Sequence, residues 1–155
     1  MRPGISLEKD FREFIESLNE AGAEYLVVGG YAVALHGRPR YTKDLDIWVG
    51  QDPGNASRII NALNSYGFAS LGLTEQDFSR PNYVVQLGYP PLRIDIITSI
   101  PGVEFDSSYN SRVLANVDGT PAAFISVEDL IANKRAAGRK QDLADAELLS
   151  RRKQG

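Results

Sequence analysis

One stretch, Lys43-Asp44-Leu45-Asp46-Ile47-Trp48-Val49, constrains the folding of this chain more than any other. Acids alternate with large apolar residues, which is the two-residue period of a strand. Successive strand side chains point to opposite faces. Asp44 and Asp46 therefore share one face, roughly 6–7 Å apart along the strand, while Leu45 and Ile47 turn into the core. Two carboxylates so placed repel each other when ionised, and each is costly beside an apolar sheet. A divalent cation removes that cost, and an oxygen-only ligand set points to Mg2+ or Mn2+ rather than zinc. A second apolar run, Arg93-Ile94-Asp95-Ile96-Ile97, again buries an acid among β-branched residues. If the two strands are neighbours, a spacing of ~4.8 Å sets Asp95 beside Asp44 and Asp46. Three such acids are the ligand set of a two-cation site, where one ion activates a hydroxyl and the other grips a triphosphate.

Composition narrows the alternatives. The chain has 155 residues, 43% hydrophobic and 24% charged, which predicts a single globular domain over residues 1–155. It has no cysteine, which excludes a disulfide scaffold, a zinc-thiolate site and a thiol nucleophile. Its one histidine, His36, excludes a multi-histidine metal site and reads as the end of a short helix before Gly37. No apolar run approaches the ~18 residues of a membrane span, and the first residues lack the apolar core of a signal peptide. A cytoplasmic protein with no membrane contact is expected. Net charge is −3, but residues 134–155 carry +4 and the remainder −7. Arg38, Arg40 and Lys43 form a second basic group. Basic and acidic surface side by side suit a polyanionic ligand held near a cation.

The rest of the pattern predicts α+β architecture, a mixed sheet flanked by helices with a short helical pair at the C-terminus. Leu7, Phe11, Phe14, Ile15 and Leu18 recur at helical spacing behind Ser6 as N-cap, and Gly22 stops the run. Tyr25–Val28 reads as a buried strand ending in a tight turn at Gly29-Gly30, with a short helix over 31–37. A helix is expected over 55–66. Strands 83–87 and 93–97 flank a turn at Tyr89-Pro90-Pro91. Strands 113–117 and 122–125 pair as a hairpin over Asp118-Gly119, a favoured turn dipeptide. Ser126 caps a helix that Gly138 ends, and the last helix covers about 142–152.

Gly29-Gly30 completes the chemistry. Two glycines between a strand and a helix let backbone approach an anion, and the helix N-terminus offers free N–H donors. Arg40, Thr42 and Lys43, just before the acids, are placed to meet a nucleotide. No dinucleotide or P-loop glycine fingerprint occurs. The order Gly29-Gly30, Asp44-Leu45-Asp46, Asp95 resembles the nucleotidyltransferase superfold of DNA polymerase β type. The blocks 28–49 and 130–149 are similar to those of bacterial and archaeal abortive-infection (AbiEii-like) toxin nucleotidyltransferases.

That resemblance implies a metal-dependent transfer of a nucleoside monophosphate from a nucleoside triphosphate to an acceptor, with release of pyrophosphate. It implies Mg2+ held by Asp44, Asp46 and Asp95, glycines facing the phosphates, Asp95 as general base, and Lys134 with Asp142 or Asp145 close to the site. A tRNA 3′ end, in a toxin with an antitoxin protein as partner, is one acceptor it admits. A protein side chain or a small molecule such as an antibiotic is another. A degenerate domain that binds a partner protein without catalysis is the alternative class.

Overall fold

In the computed structural model, which describes residues 2, 3, 5, 7–89 and 92–154, one mixed sheet organises the chain. Six strands form its body: β2 (Tyr25–Val28), β3 (Asp44–Val49), β4 (Val84–Tyr89), β5 (Leu92–Ile97), β6 (Val113–Val117) and β7 (Thr120–Phe124). The two-residue β1 (Arg2–Pro3) extends one edge, giving the order β1-β6-β7-β2-β3-β5-β4. β3 is antiparallel to β2 and parallel to β5. The expected α+β class with a mixed sheet is what the chain adopts.

The helices are α1 (Lys9–Glu20), α2 (Gly29–His36), α3 (Pro53–Tyr66), α4 (Glu75–Phe78), α5 (Phe105–Asn110), α6 (Val127–Ala137) and α7 (Lys140–Gln154). Register decides which face meets which helix. Tyr25, Ile47 and Val49 lie on one face, because Tyr25 pairs with Val49 and Val27 with Ile47. Tyr25 Oη donates to Asn19 of α1 at 2.9 Å, so α1 covers that face. Leu45 and Ile47 are fully buried there, and each such side chain stabilises the fold by about 1.5–3 kcal/mol. The opposite face carries Asp44, Asp46 and Trp48. Trp48 meets Phe105 of α5 edge to face, with ring centroids 5.2 Å apart.

Several boundaries differ from the sequence reading. Ser6, expected to cap α1, lies outside the described residues, and Glu8 takes the N-cap position. Pro90 and Pro91 of the expected turn also lie outside them. Gly29-Gly30 is no turn before a helix but the first turn of α2 itself, because Gly29 at φ +66° bends the chain straight from β2 into the helix. The helices α4 and α5 escaped notice, being too short to show helical periodicity. The expected hairpin forms, with Asp118 and Gly119 both at positive φ as a type I′ turn requires. Ser126 caps α6 by accepting from Asp129 N, and Gly138 ends that helix at φ +74°.

Candidate active site

The parallel pairing of β3 and β5 places Asp46 directly beside Asp95 and Asp44 directly beside Arg93. Three acids and one guanidinium thus occupy two adjacent strand rungs on one face. Arg93 Nη2 donates to Asp44 Oδ2 at 3.0 Å and to Asp95 Oδ2 at 3.2 Å. Its Nε lies 3.0 Å from Asp95 Oδ1, out of line for a hydrogen bond, so that oxygen keeps unused acceptor capacity. The Asp46 carboxylate has no hydrogen bond or ion pair among the described residues. Burial, then the charges of Asp95 and Asp44, push its pKa up to about 7, against the opposing fields of Arg93 and Lys134. Burial also raises the Asp95 carboxyl, with Arg93 opposing it.

Arg93 is the site residue that sequence reasoning passed over. Its signal was there: it lies two positions before Asp95, hence on the same strand face. Its guanidinium bridges two of the three acids. Among the described residues no group of three or more His, Cys, Asp or Glu is arranged to hold a metal ion. The donor chemistry nevertheless suits a hard divalent cation. Every available ligand is a carboxylate oxygen, Asp46 is unpartnered, and Asp95 Oδ1 is unsatisfied.

The N-terminus of α2 backs this cluster. A Cβ added at Gly29 would collide with Asp46 Oδ2, and one at Gly30 would lie 2.7 Å from Thr42 Cγ2. Both glycines are needed so that β3 and the residues before it can lie against the start of α2. The helix dipole there favours negative charge. Thr42 Oγ1 is buried without a hydrogen-bond partner, while its carbonyl accepts from Tyr31 Oη at 2.9 Å. Lys43 is exposed beside Asp44.

The C-terminal residues form a separate, internally neutralised group. Asp142 and Asp145, each 2% exposed, lie one turn apart on α7 and share Lys134 of α6, at 3.4 and 3.3 Å. Arg139 donates from Nε to Asp142 at 2.7 Å, and its hydrogen bond is the main reason that carboxyl is held below the usual range. At Asp145 burial works the other way, but hydrogen bonds from Arg40 and Gln141 outweigh it and leave the pKa lowered. Arg40 thereby ties the residues ahead of β3 to α7. Lys134 is near enough to Asp46 for its field to be felt there. Asp142 and Asp145 therefore hold the cations Lys134 and Arg40, and neither carboxylate is free. His36 ends α2 as expected, and its Nε2 donates to the Ile125 carbonyl at 2.7 Å. Trp48, 2% exposed, is core, while Tyr41 is largely exposed.

The fold is one shared with nucleotidyltransferase-like proteins. The fold is similar to that of a protein of Thermotoga maritima described as a candidate nucleotidyltransferase, with TM-score 0.56 and 18% identity over 91% of this chain and 88% of that one. It is also similar to an antigenic nucleotidyltransferase-like protein of Paracoccidioides brasiliensis, with TM-score 0.52 and 18% identity over 92% and 77% of the two chains. Within that class, residues 7–154 match the model of one family, and the chain belongs to it: the nucleotidyl transferases of unknown function, DUF2204. No curated protein matches the sequence. Among the described residues no helix is long and apolar enough to cross a membrane.

Proposed function

We propose that residues 1–155 act as one nucleotidyltransferase domain, moving a nucleoside monophosphate from a nucleoside triphosphate to an acceptor hydroxyl. The observation that carries this reading is the Asp46/Asp95 pair on adjoining parallel strands, backed by the start of α2, in a chain of a nucleotidyl transferase family. Asp44, Asp46 and Asp95 would hold Mg2+ or Mn2+ through their carboxylate oxygens. The ion, when bound, supplies positive charge to the phosphates and lowers the pKa of an acceptor hydroxyl. Asp95 takes the hydroxyl proton as the acceptor oxygen attacks the α-phosphorus. The bond to the bridging oxygen breaks, and pyrophosphate leaves with the electron pair. Gly29 and Gly30 expose backbone N–H donors to the phosphates. Arg93 and Lys43 are the side chains available to oppose phosphate charge. Lys134 tunes the field at Asp46 from behind, held by Asp142 and Asp145 with Arg40. Thr42 orients the start of β3 against Gly30.

The AbiEii-like blocks favour a cytoplasmic toxin acting on a tRNA 3′ end, with an antitoxin as protein partner. A degenerate, partner-binding module is the second reading, and Arg93 in the middle of the acids is the observation that favours it. Calorimetric titration of each nucleoside triphosphate with Mg2+, on wild type and on Asp44→Ala/Asp46→Ala, separates the two. Metal-dependent binding that is lost in the variant supports the transferase. No binding by the folded wild type rejects it in favour of the module.

A further inference from the structure

The sheet ends at β4, which pairs with β5 along its whole length and, among the described residues, with no strand on its other side. Thr98 N donates to the Tyr83 carbonyl at 3.0 Å. That rung is therefore a hydrogen-bonded one, and such rungs alternate along an antiparallel pair. Val85 and Leu87 bond to β5, while Val84 and Gln86 turn their N–H and C=O groups to the outer edge. Among the described residues nothing bonds to them there. Natural sheets blunt such an edge with charge, proline or a covering segment. The opposite edge of this sheet ends in the two-residue β1, with Pro3 in it. The strand β4 carries no such device. No charged residue occurs between Arg80 and Arg93, and Val84 is 50% exposed. Val84, Gln86 and Gly88 are all exposed, and the register puts them on the face that carries Asp95.

This open edge is complementary to itself. A two-fold axis through Gln86, normal to the sheet, sets it antiparallel against Gln86 of a second copy and puts Val84 opposite Gly88 of that copy. The branched side chain fills the space that the glycine leaves. A glutamine amide both donates and accepts, so two of them can bond each other across an axis. A chain of net charge −3 repels its own copies, and the uncharged β4 adds nothing to that opposition. We propose that β4 joins β4 of a second copy in a symmetric dimer with one continuous sheet. Antiparallel pairing keeps both acid clusters on the same side of that sheet. Three strand spacings of ~4.8 Å then separate the two Asp95 residues by roughly 14 Å. The Gln86 pair lies between them, so each copy supplies part of the surface beside the other's acids. The dimer does not rest on the transferase reading.

Light scattering over a concentration series reads the mass directly. Wild type should reach twice the mass of one chain, with a dissociation constant no weaker than about 100 μM. Val84→Lys adds the kind of charge that protected edges carry. It should remain monomeric and keep the circular dichroism of the wild type, because the position is exposed. A covalent readout is available because the chain has no cysteine, so Gln86→Cys introduces a single thiol. Across a hydrogen-bonded antiparallel rung the Cα atoms lie about 5.5 Å apart, within disulfide reach. Under oxidised glutathione this variant should form a covalent dimer at least about tenfold faster than Leu114→Cys, whose 49% exposed side chain lies on β6. Wild type that stays monomeric across the series, Val84→Lys that still dimerises, or Gln86→Cys that oxidises no faster than Leu114→Cys overturns the proposal. A dimer that binds no nucleoside triphosphate upholds the interface and rejects only the transferase reading.

Discussion

Asp46 holds its negative charge against its surroundings. A carboxyl whose pKa is raised to about 7 binds its proton more tightly folded than unfolded. Between the unfolded value of ~4 and that folded value, the native state holds the extra proton, so rising pH removes stability. Above pH 7 the full penalty is present. Asp46→Asn should therefore be more stable than wild type at pH 8, by on the order of 1–3 kcal/mol, and should lose the advantage near pH 4. Denaturant titrations at the two pH values check this. The same variant should abolish nucleotidyl transfer with the fold intact, since the side chain faces the cluster and not the core. Arg93 is the complementary case. Arg93→Gln removes the counter-charge of Asp44 and Asp95. It should lower metal-free stability and enlarge the rise in Tm produced by millimolar Mg2+, because the ion no longer competes with a guanidinium. An unchanged Mg2+ response would contradict the placement of Arg93.

At the scale of elements, the junction of β2 and α2 is the least replaceable. Gly29→Ala meets both positive φ and the Asp46 carboxylate, whereas Gly22→Ala meets positive φ with open space around the Cβ. The first should cost about 2–4 kcal/mol and the second about 1, a difference that thermal unfolding can resolve. The α6–α7 pair depends on a buried ion group. Lys134→Met strands part of the charge of Asp142 and Asp145 and should cost about 2–4 kcal/mol at pH 7. Both acids have depressed folded pKa values. Their contribution is complete above the unfolded pKa of ~4 and fades as pH falls through the lower folded values. The variant should therefore lose its disadvantage only in strong acid. Much of this level could be read from the chain. Alternation located β3 and β5, Asp118-Gly119 the hairpin, and Ser126 with Gly138 the limits of α6. What could not be read were interactions between distant segments. Nothing local says that Arg40 reaches Asp145, that Arg93 settles between two acids, or that Gly29 is empty to make room for Asp46. Short α5, which packs Phe105 against Trp48, has no periodicity to betray it.

For the whole molecule, three cations of the C-terminal segment are held by the segment's own acids. Lys134, Arg139, Arg151 and Lys153 are each ion-paired inside the chain, and Arg152 donates to the Gly37 carbonyl. Only Glu128, the partner of Lys153, brings in negative charge from outside residues 134–155, so the segment keeps about +3 to gather a polyanion. Any binding of total tRNA should accordingly show a shallow dependence on salt, with log K against log[salt] of slope no steeper than about −3. Filter binding across a salt series measures it, and a steep slope would mean that these pairs open on contact with nucleic acid.

Arg93 gives the site a positive charge encoded in the chain itself. Small zinc domains unfold when a chelator takes their metal, because the ion is part of their folding energy. Here Arg93 already bridges Asp44 and Asp95, so the fold does not wait for a cation to hold those acids together. On the transferase reading, a metal ion would set when the protein works and not how much of it survives.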